Sequence, residues 1–295
     1  MQLTDAFETY LLYKRERSTP RTIQTDRLCL HQFSDFLEDP AVEAVTTEDV
    51  LRFMGHERER GLAESTLKRS WATLRAAWSW FTDPQFNIVP EHIVKPVPAP
   101  SPELKQIPYL SPTDIAAIVE AAQGRRHPRR ARALILFMLD TCARVTEVCE
   151  VTLDKINWVQ GSALVLGKGR KWRTVYMGSR CIMACKLYHD TERGKPYGQY
   201  ADYLFLTDRG KPFDRFMMRR YVERIGAAAG LRLYPHLLRH TGAVEHLRFG
   251  IDLETLRRLL GHSKLTTTQR YLNALQQEDV HVGARRTSPG DNRRL

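Results

Sequence analysis

Four prolines at alternate positions, Pro96, Pro98, Pro100 and Pro102, interrupt this 295-residue chain. Each fixes its own φ and pushes the residue before it out of helical conformation, so the stretch is extended and semi-rigid. The chain therefore reads as two folded units, 1–95 and 105–280, joined by a linker at 96–104, and each is long enough to bury its own core. Charge divides at the same place. Residues 1–95 hold 12 Lys and Arg against 15 Asp and Glu, a balance of −3; residues 96–295 hold 33 against 19, a balance of +14. A polyanionic partner is implied, and it is met chiefly by the second unit.

Residues 1–95 carry helix signals. Leu3, Phe7, Tyr10 and Leu11, with Lys14 a turn further on, recur at helical spacing over residues 3–15. Thr19-Pro20 gives the cap and first position of a second helix, whose apolar residues are Leu28, Leu30, Phe33 and Phe36. Thr46-Thr47-Glu48-Asp49 opens a third helix through Leu51 and Phe53. Ala63-Glu64-Ser65-Thr66 opens a fourth through Leu67, Trp71, Leu74, Trp78 and Trp80 to Phe81. Thr22, Lys68, Arg69 and Arg75 suit a row of contacts to a nucleic-acid backbone, and suit a solvated helix face equally well.

Beyond the linker the pattern becomes mixed. Ser111-Pro112-Thr113-Asp114 starts a helix, and residues 129–140 form another, with Ala133, Leu134, Leu136, Phe137 and Leu139 on its apolar face. That second helix delivers Arg144 just past its end. Residues 163–166 and 174–176 read as strands joined through Gly167-Lys168-Gly169, residues 181–190 and 215–229 as helices, and 204–206 as a short extended piece. The fold class is mainly α with a small β-sheet (α+β).

The chemistry gathers near the end. Pro235-His236-Leu237-Leu238-Arg239-His240 places His236 and Arg239 three residues apart, on one helical face. Leu260-Gly261-His262 stands nine residues before Tyr271, room for a helix start after Gly261, a turn, and a second helix carrying the tyrosine. These boxes resemble the tyrosine recombinase (integrase) family, whose signatures read His-x-x-Arg-His, Leu-Gly-His and a tyrosine nine residues on. Upstream, Thr141-Cys142-Ala143-Arg144-Val145-Thr146-Glu147 resembles the family's first arginine box, with Cys142-Ala143 where Gly-Leu is common. Residues 165–175 resemble its lysine-bearing β-hairpin, with Lys168 at the turn.

The resemblance implies a four-helix core-binding (SAM-like) domain that clamps DNA against a catalytic domain, and it implies roles for particular residues. Tyr271 attacks a phosphodiester to leave a 3′-phosphotyrosyl link. Arg144 and Arg239 hold the non-bridging oxygens, with His262 as a further donor. His236 takes the tyrosine proton or hydrogen-bonds the phosphate, Lys168 protonates the leaving 5′-oxygen, and Glu147 orients the first arginine. Arg170, Lys171 and Arg173 contact DNA phosphates or solubilise the hairpin, and His240 is a structural neighbour. No cofactor is expected, because the ester keeps the bond energy needed for rejoining. The partner is double-stranded DNA with paired sites, bound by a homotetramer that works through a Holliday junction, with or without a sister recombinase. The compact size is similar to Xer-type resolvases and simple mobile-element integrases.

Two other readings use the same residues: a type IB topoisomerase, which relaxes DNA without site preference, and a DNA-binding repressor that no longer cuts. The separate core-binding module disfavours the first, and the pairing of Lys168 with Tyr271 the second. No run approaches the roughly 18 apolar residues of a membrane span, and the N-terminus lacks the plan of a signal peptide, so a cytoplasmic location is expected. The five cysteines include no Cys-x-x-Cys pair, and the glutamate of a His-Glu-x-x-His zinc helix is replaced by Leu237, so no metal is expected. The tail at 281–295 is polar and basic, suited to a mobile or partner-binding extension.

Overall fold

The computed structural model describes residues 1–102, 106–167, 169, 171–275 and 284–285. The chain divides into two compact units, Met1–Lys105 and Gln106–Leu295.

The first unit is built from α1 (Leu3–Arg15), α2 (Pro20–Phe36), α3 (Thr47–Glu59) and α4 (Glu64–Phe81). The start signals act as expected. The Thr19 side chain accepts from the Thr22 amide ahead of Pro20, and Thr46 and Asp49 satisfy each other's backbone amides in a capping box. Phe7, Phe33, Phe53, Trp78 and Phe81 interlock at the centre, with Phe7 meeting the edge of Trp78 at 5.8 Å and Phe33 that of Phe53 at 5.1 Å. Leu28 and Leu51 differ from expectation and face solvent. Each sits two residues from a buried partner, Leu30 or Phe53, and two residues turn a helix by about 200°. The chain after α4 also belongs to this core. Val89, Ile93, Val94 and Val97 are buried in it, and the Trp71 indole donates to the Val97 carbonyl at 3.1 Å. Val97, expected in the linker, is thus anchored to the helical unit, while residues 103–104 lie outside the described residues.

The second unit contains α5 (Pro112–Gln123), α6 (Pro128–Thr141), α7 (Val145–Glu150), β1 (Ile156–Asn157), β2 (Ser162–Leu166), β3 (Trp172–Tyr176), α8 (Ser179–Thr191), α9 (Arg215–Ala228), α10 (Pro235–Arg248), α11 (Leu253–Leu260) and α12 (Leu265–Gln269). The strands form an antiparallel sheet in the order β1-β2-β3, with Val165 opposite Arg173 and Ala163 opposite Val175. Ala163, Val165 and Val175 point into the core, while Leu164, Trp172 and Tyr176 face out, the alternation of a sheet covered on one side. The short elements β1 and α7 carried no sequence signal of their own.

Helix α6 is the axis of this unit. Ala131, Ala133, Leu134, Ile135, Phe137 and Met138 are all buried, and α5, α8 and α10 pack against it. At Gly242 of α10 the two helices touch backbone to backbone. A Cβ there would run into the Leu139 carbonyl and lie 2.9 Å from Cys142 Sγ. Gly242→Ala is therefore expected to force α10 off α6 and destabilise the unit by about 1–3 kcal/mol, despite the better helix propensity of alanine. A thermal melt unchanged from wild type would show that the crossing relaxes freely.

Candidate active site

Helix α6 ends where the site begins. Cys142, its C-cap, is left-handed at φ 47°, a conformation that suits glycine and that places the Cys142 carbonyl inward. Arg144 follows as the N-cap of α7, and its amide donates to Glu147 Oε2 at 2.6 Å. Glu147 is 1% exposed and joins two arginines. Arg144 Nη1 donates to its Oε1 at 2.8 Å and Arg173 Nη2 to its Oε2 at 2.7 Å. Burial alone would raise the Glu147 carboxyl; the hydrogen bond and charge of Arg173, helped by Arg144, hold it below its usual value.

Arg173 was expected beside Arg170 and Lys171 as a phosphate contact, and the structure corrects this. Strand alternation puts Arg173 on the same face as Val175, so its side chain turns inward to Glu147 and to the Leu259 carbonyl. Lys171 is exposed, and Arg170 lies outside the described residues.

Arg239 approaches from α10 and is 2% exposed. Its Nη1 donates to the Cys142 carbonyl at 2.6 Å and its Nη2 to the Leu260 carbonyl at 2.7 Å, with His262 Nε2 at 3.3 Å. Burial, then the charge of Arg144, lowers its pKa to about 10, so the guanidinium remains charged at neutral pH. These hydrogen bonds go to neutral groups, which leaves its positive charge available to an incoming anion.

Gly261 explains the Leu-Gly-His box. It ends α11 in left-handed conformation at φ 62°, and a Cβ there would meet Arg173 Cδ at 2.7 Å and Arg144 Nη1 at 3.6 Å. Its carbonyl accepts from Arg144 Nη2 at 3.3 Å, and His262 follows, its Nδ1 held by Thr268 Oγ1 at 3.0 Å. Gly261 itself closes α11, and a helix does start after it, α12 at Leu265, but α12 stops at Gln269, so Tyr271 sits in the turn beyond it and not on a second helix as expected.

The Tyr271 side chain is 2% exposed, and its hydroxyl lies 2.8 Å from His240 Nδ1. Burial raises the phenol's pKa. His236, exposed at the first turn of α10, stacks edge-on against His240 with ring centroids 4.1 Å apart. His240, four residues after His236 in the same helix, was expected as a structural neighbour of the site and not as half of a metal pair; its direct contact with the Tyr271 hydroxyl is what sequence reasoning missed.

Lys168 lies outside the described residues, but the foot of its hairpin is placed. The Gly167 amide donates to the Lys171 carbonyl at 2.8 Å, and a Cβ on Gly167 would lie 3.5 Å from Glu147 Oε1 and 4.0 Å from Arg144 Nη1. Thr22, Lys68, Arg69 and Arg75 are exposed in the first unit, with Arg75 5.0 Å over the Trp71 ring. Among the described residues no group of three or more His, Cys, Asp or Glu is placed to hold a metal ion, and no helix is long and apolar enough to cross a membrane.

Burial and then neighbouring positive charge lower His240 and His262 to about 4; the charges are His236 and Arg239 for the first, Arg239 and Arg144 for the second. An unfolded histidine takes its proton near 6.5, so between about pH 6.5 and 4 the unfolded chain binds more protons than the folded one. Stability is expected to fall as pH drops through that window. A melt at pH 5, above the range where most carboxylates titrate, should show a lower Tm than one at pH 7; equal values would mean that these imidazoles are charged in the folded state.

Arg144, Arg239, three histidines (His236, His240 and His262) and the buried Tyr271 are thus gathered in one basic cluster on an α-helical frame with one small sheet. Residues 108–278 match the phage integrase family, and residues 4–83 match the phage integrase N-terminal SAM-like domain. The tyrosine recombinase XerC of Halalkalibacterium halodurans is 30% identical over 92% of this chain and 92% of its own length. That of Roseiflexus castenholzii is 29% identical over 94% and 90%. Among solved structures, the Tn1549 transposon integrase in complex with transposon right end DNA aligns at TM-score 0.78 and 18% identity, covering 98% of this chain and all of that one. The XerH site-specific recombinase bound to a palindromic difH substrate aligns at 0.75 and 22%, over 95% and 84%. The chain belongs to the phage integrase family. Its activity is that of a Xer-like tyrosine recombinase: site-specific DNA recombination by cleavage and rejoining of strands through a tyrosine.

Proposed function

We propose that Tyr271 is the nucleophile of this recombinase and that Arg144, Arg239 and His262 bind the scissile phosphate. The observation that carries this reading is Arg239: a buried guanidinium bonded to two carbonyls and His262, with its charge uncancelled, beside the buried hydroxyl of Tyr271. Negative charge builds on the non-bridging oxygens in the transition state, and prearranged arginine forks stabilise it at little reorganisation cost. His236, exposed above the cluster, hydrogen-bonds the phosphate. Lys168 protonates the leaving 5′-oxygen from the hairpin whose foot rests by Arg144, and Glu147 holds Arg144 in place. The covalent ester preserves the energy for rejoining, so neither a cofactor nor a metal enters the cycle.

The helical unit, with Thr22, Lys68, Arg69 and Arg75 as phosphate contacts, completes the grip on double-stranded DNA, joined by Lys171 and Arg170 from the hairpin. Two sites are paired in a homotetramer, with a Holliday junction between successive exchanges. The similarity to XerC and XerD proteins favours resolution of replicon dimers in the cytoplasm; the likeness in fold to the Tn1549 transposon integrase keeps mobile-element movement as the second reading. The test is a set of nicked duplexes drawn from DNA flanking the gene and from replicon termini, in which the cleaved end diffuses away and traps the protein on DNA. A covalent adduct on one duplex class identifies site and role together. Relaxation of a plasmid lacking any such site would move the protein to topoisomerase chemistry.

A further inference from the structure

We propose that His240 receives the Tyr271 proton, at Nδ1, as the tyrosine attacks DNA. This rests on the reading of Tyr271 as the nucleophile. The two atoms are 2.8 Å apart, a direct hydrogen bond within transfer distance. With Nε2 carrying the imidazole hydrogen, Nδ1 is free to accept. His236, the other histidine of the box, stacks on the His240 ring and is exposed, with no hydrogen bond to the tyrosine among those of the described residues. The tyrosine is 2% exposed and packs in one cluster with Ala243, Leu256 and Leu260, so bulk water is poorly placed to take its proton.

The surroundings of His240 make this transfer depend on DNA. From its own helix it faces His236 and Arg239, from the α12 end Arg270 and Tyr271, and from the α11 end His262. After burial, those charges are what keep the imidazole a weak base, with Arg144 adding to the same field around Tyr271. A phosphodiester brings a negative charge into this field and cancels part of it. His240 then becomes more basic only when a substrate is present, and the phenol stays protonated until it is. The step balances. The Oη–H bond breaks with the proton passing to Nδ1, the Oη–P bond forms, and the P–O5′ bond breaks with O5′ protonated from Lys168. Rejoining reverses each transfer, and His240 returns its proton to the departing tyrosine.

The test is single-turnover cleavage of a nicked trapping duplex by the full chain, with either oxygen or sulfur at the bridging 5′ position. His240→Ala removes the acceptor; His240→Asn keeps an acceptor near Nδ1 that cannot hold a proton. Both are expected to slow cleavage by roughly 10²-fold or more, the ordinary contribution of a general base. Sulfur leaves without needing a proton, so it should rescue Lys168→Ala and neither His240 variant. Wild-type rates in His240→Asn would reduce the contact to positioning, and rescue by sulfur would place His240 at the leaving group; either result overturns the proposal. Gel shifts and melts keep folding separate, and if His240→Ala fails to fold, His240→Asn decides. A wild-type adduct that survives in Tyr271→Phe would instead overturn the underlying assignment of the nucleophile.

Discussion

Replacing Tyr271 by phenylalanine is expected to abolish the covalent DNA complex and leave DNA binding essentially intact. The aromatic ring is what the fold uses: it is 2% exposed and packs with Leu256, Leu260 and Ala274 in a cluster that phenylalanine fills equally well. The lost hydroxyl has its hydrogen bond to His240, and deleting it costs about 1 kcal/mol of stability. Catalysis is affected on a different scale, because removing a covalent nucleophile lowers rates by on the order of 10⁶-fold. A denaturing gel on a trapped duplex reads this directly: an adduct with wild type, none with Tyr271→Phe, and similar gel-shift affinities for the two. The chain has 11 tyrosines, and an adduct persisting in the variant would send the search to the other ten.

The contrast between Tyr271 and His240 illustrates what was legible before the structure. Motif residues could be named because local chemistry fixes their spacing. Gly261 must be left-handed and bare where Arg144 and Arg173 crowd it, and caps such as Thr46, Thr19 and Ser111 announce their helices within three residues. What sequence could not show is which groups separated by dozens of residues meet. His240 and Tyr271 are 31 positions apart, and only the packing of α12 against the rest of the cluster brings the phenol to the imidazole. Arg173 lies between these cases. Counting by twos from the apolar Val175 would have turned it inward, but its neighbours Arg170 and Lys171 suggested a uniformly exposed basic hairpin. Leu28 and Leu51 failed for the same reason on helices, where apolar character was counted without its angular position.

Arg173 also leads to the largest expected effect on stability, at Glu147. This carboxylate is 1% exposed and bridges Arg144 and Arg173, at 2.8 and 2.7 Å. Glu147→Gln keeps the shape, but it removes the charge and turns an amide N–H₂ towards guanidinium donors. Two neighbouring arginines then lack a counter-charge in a desolvated site, and breaking a buried pair in this way costs about 3–5 kcal/mol. At about 2–4 °C per kcal/mol for a unit of this size, Tm should drop by roughly 10 °C. The same repulsion gives the loss a signature that a packing defect lacks. A phosphate-sized anion entering between Arg144 and Arg239 supplies the missing negative charge, so added sulfate or duplex DNA should raise Tm more in Glu147→Gln than in wild type. Cleavage should remain impaired even in the stabilised variant, because Arg144 no longer has the carboxylate that sets its direction. Equal anion-induced shifts in both proteins would show that Glu147 serves packing alone and that the arginines are held open by other means.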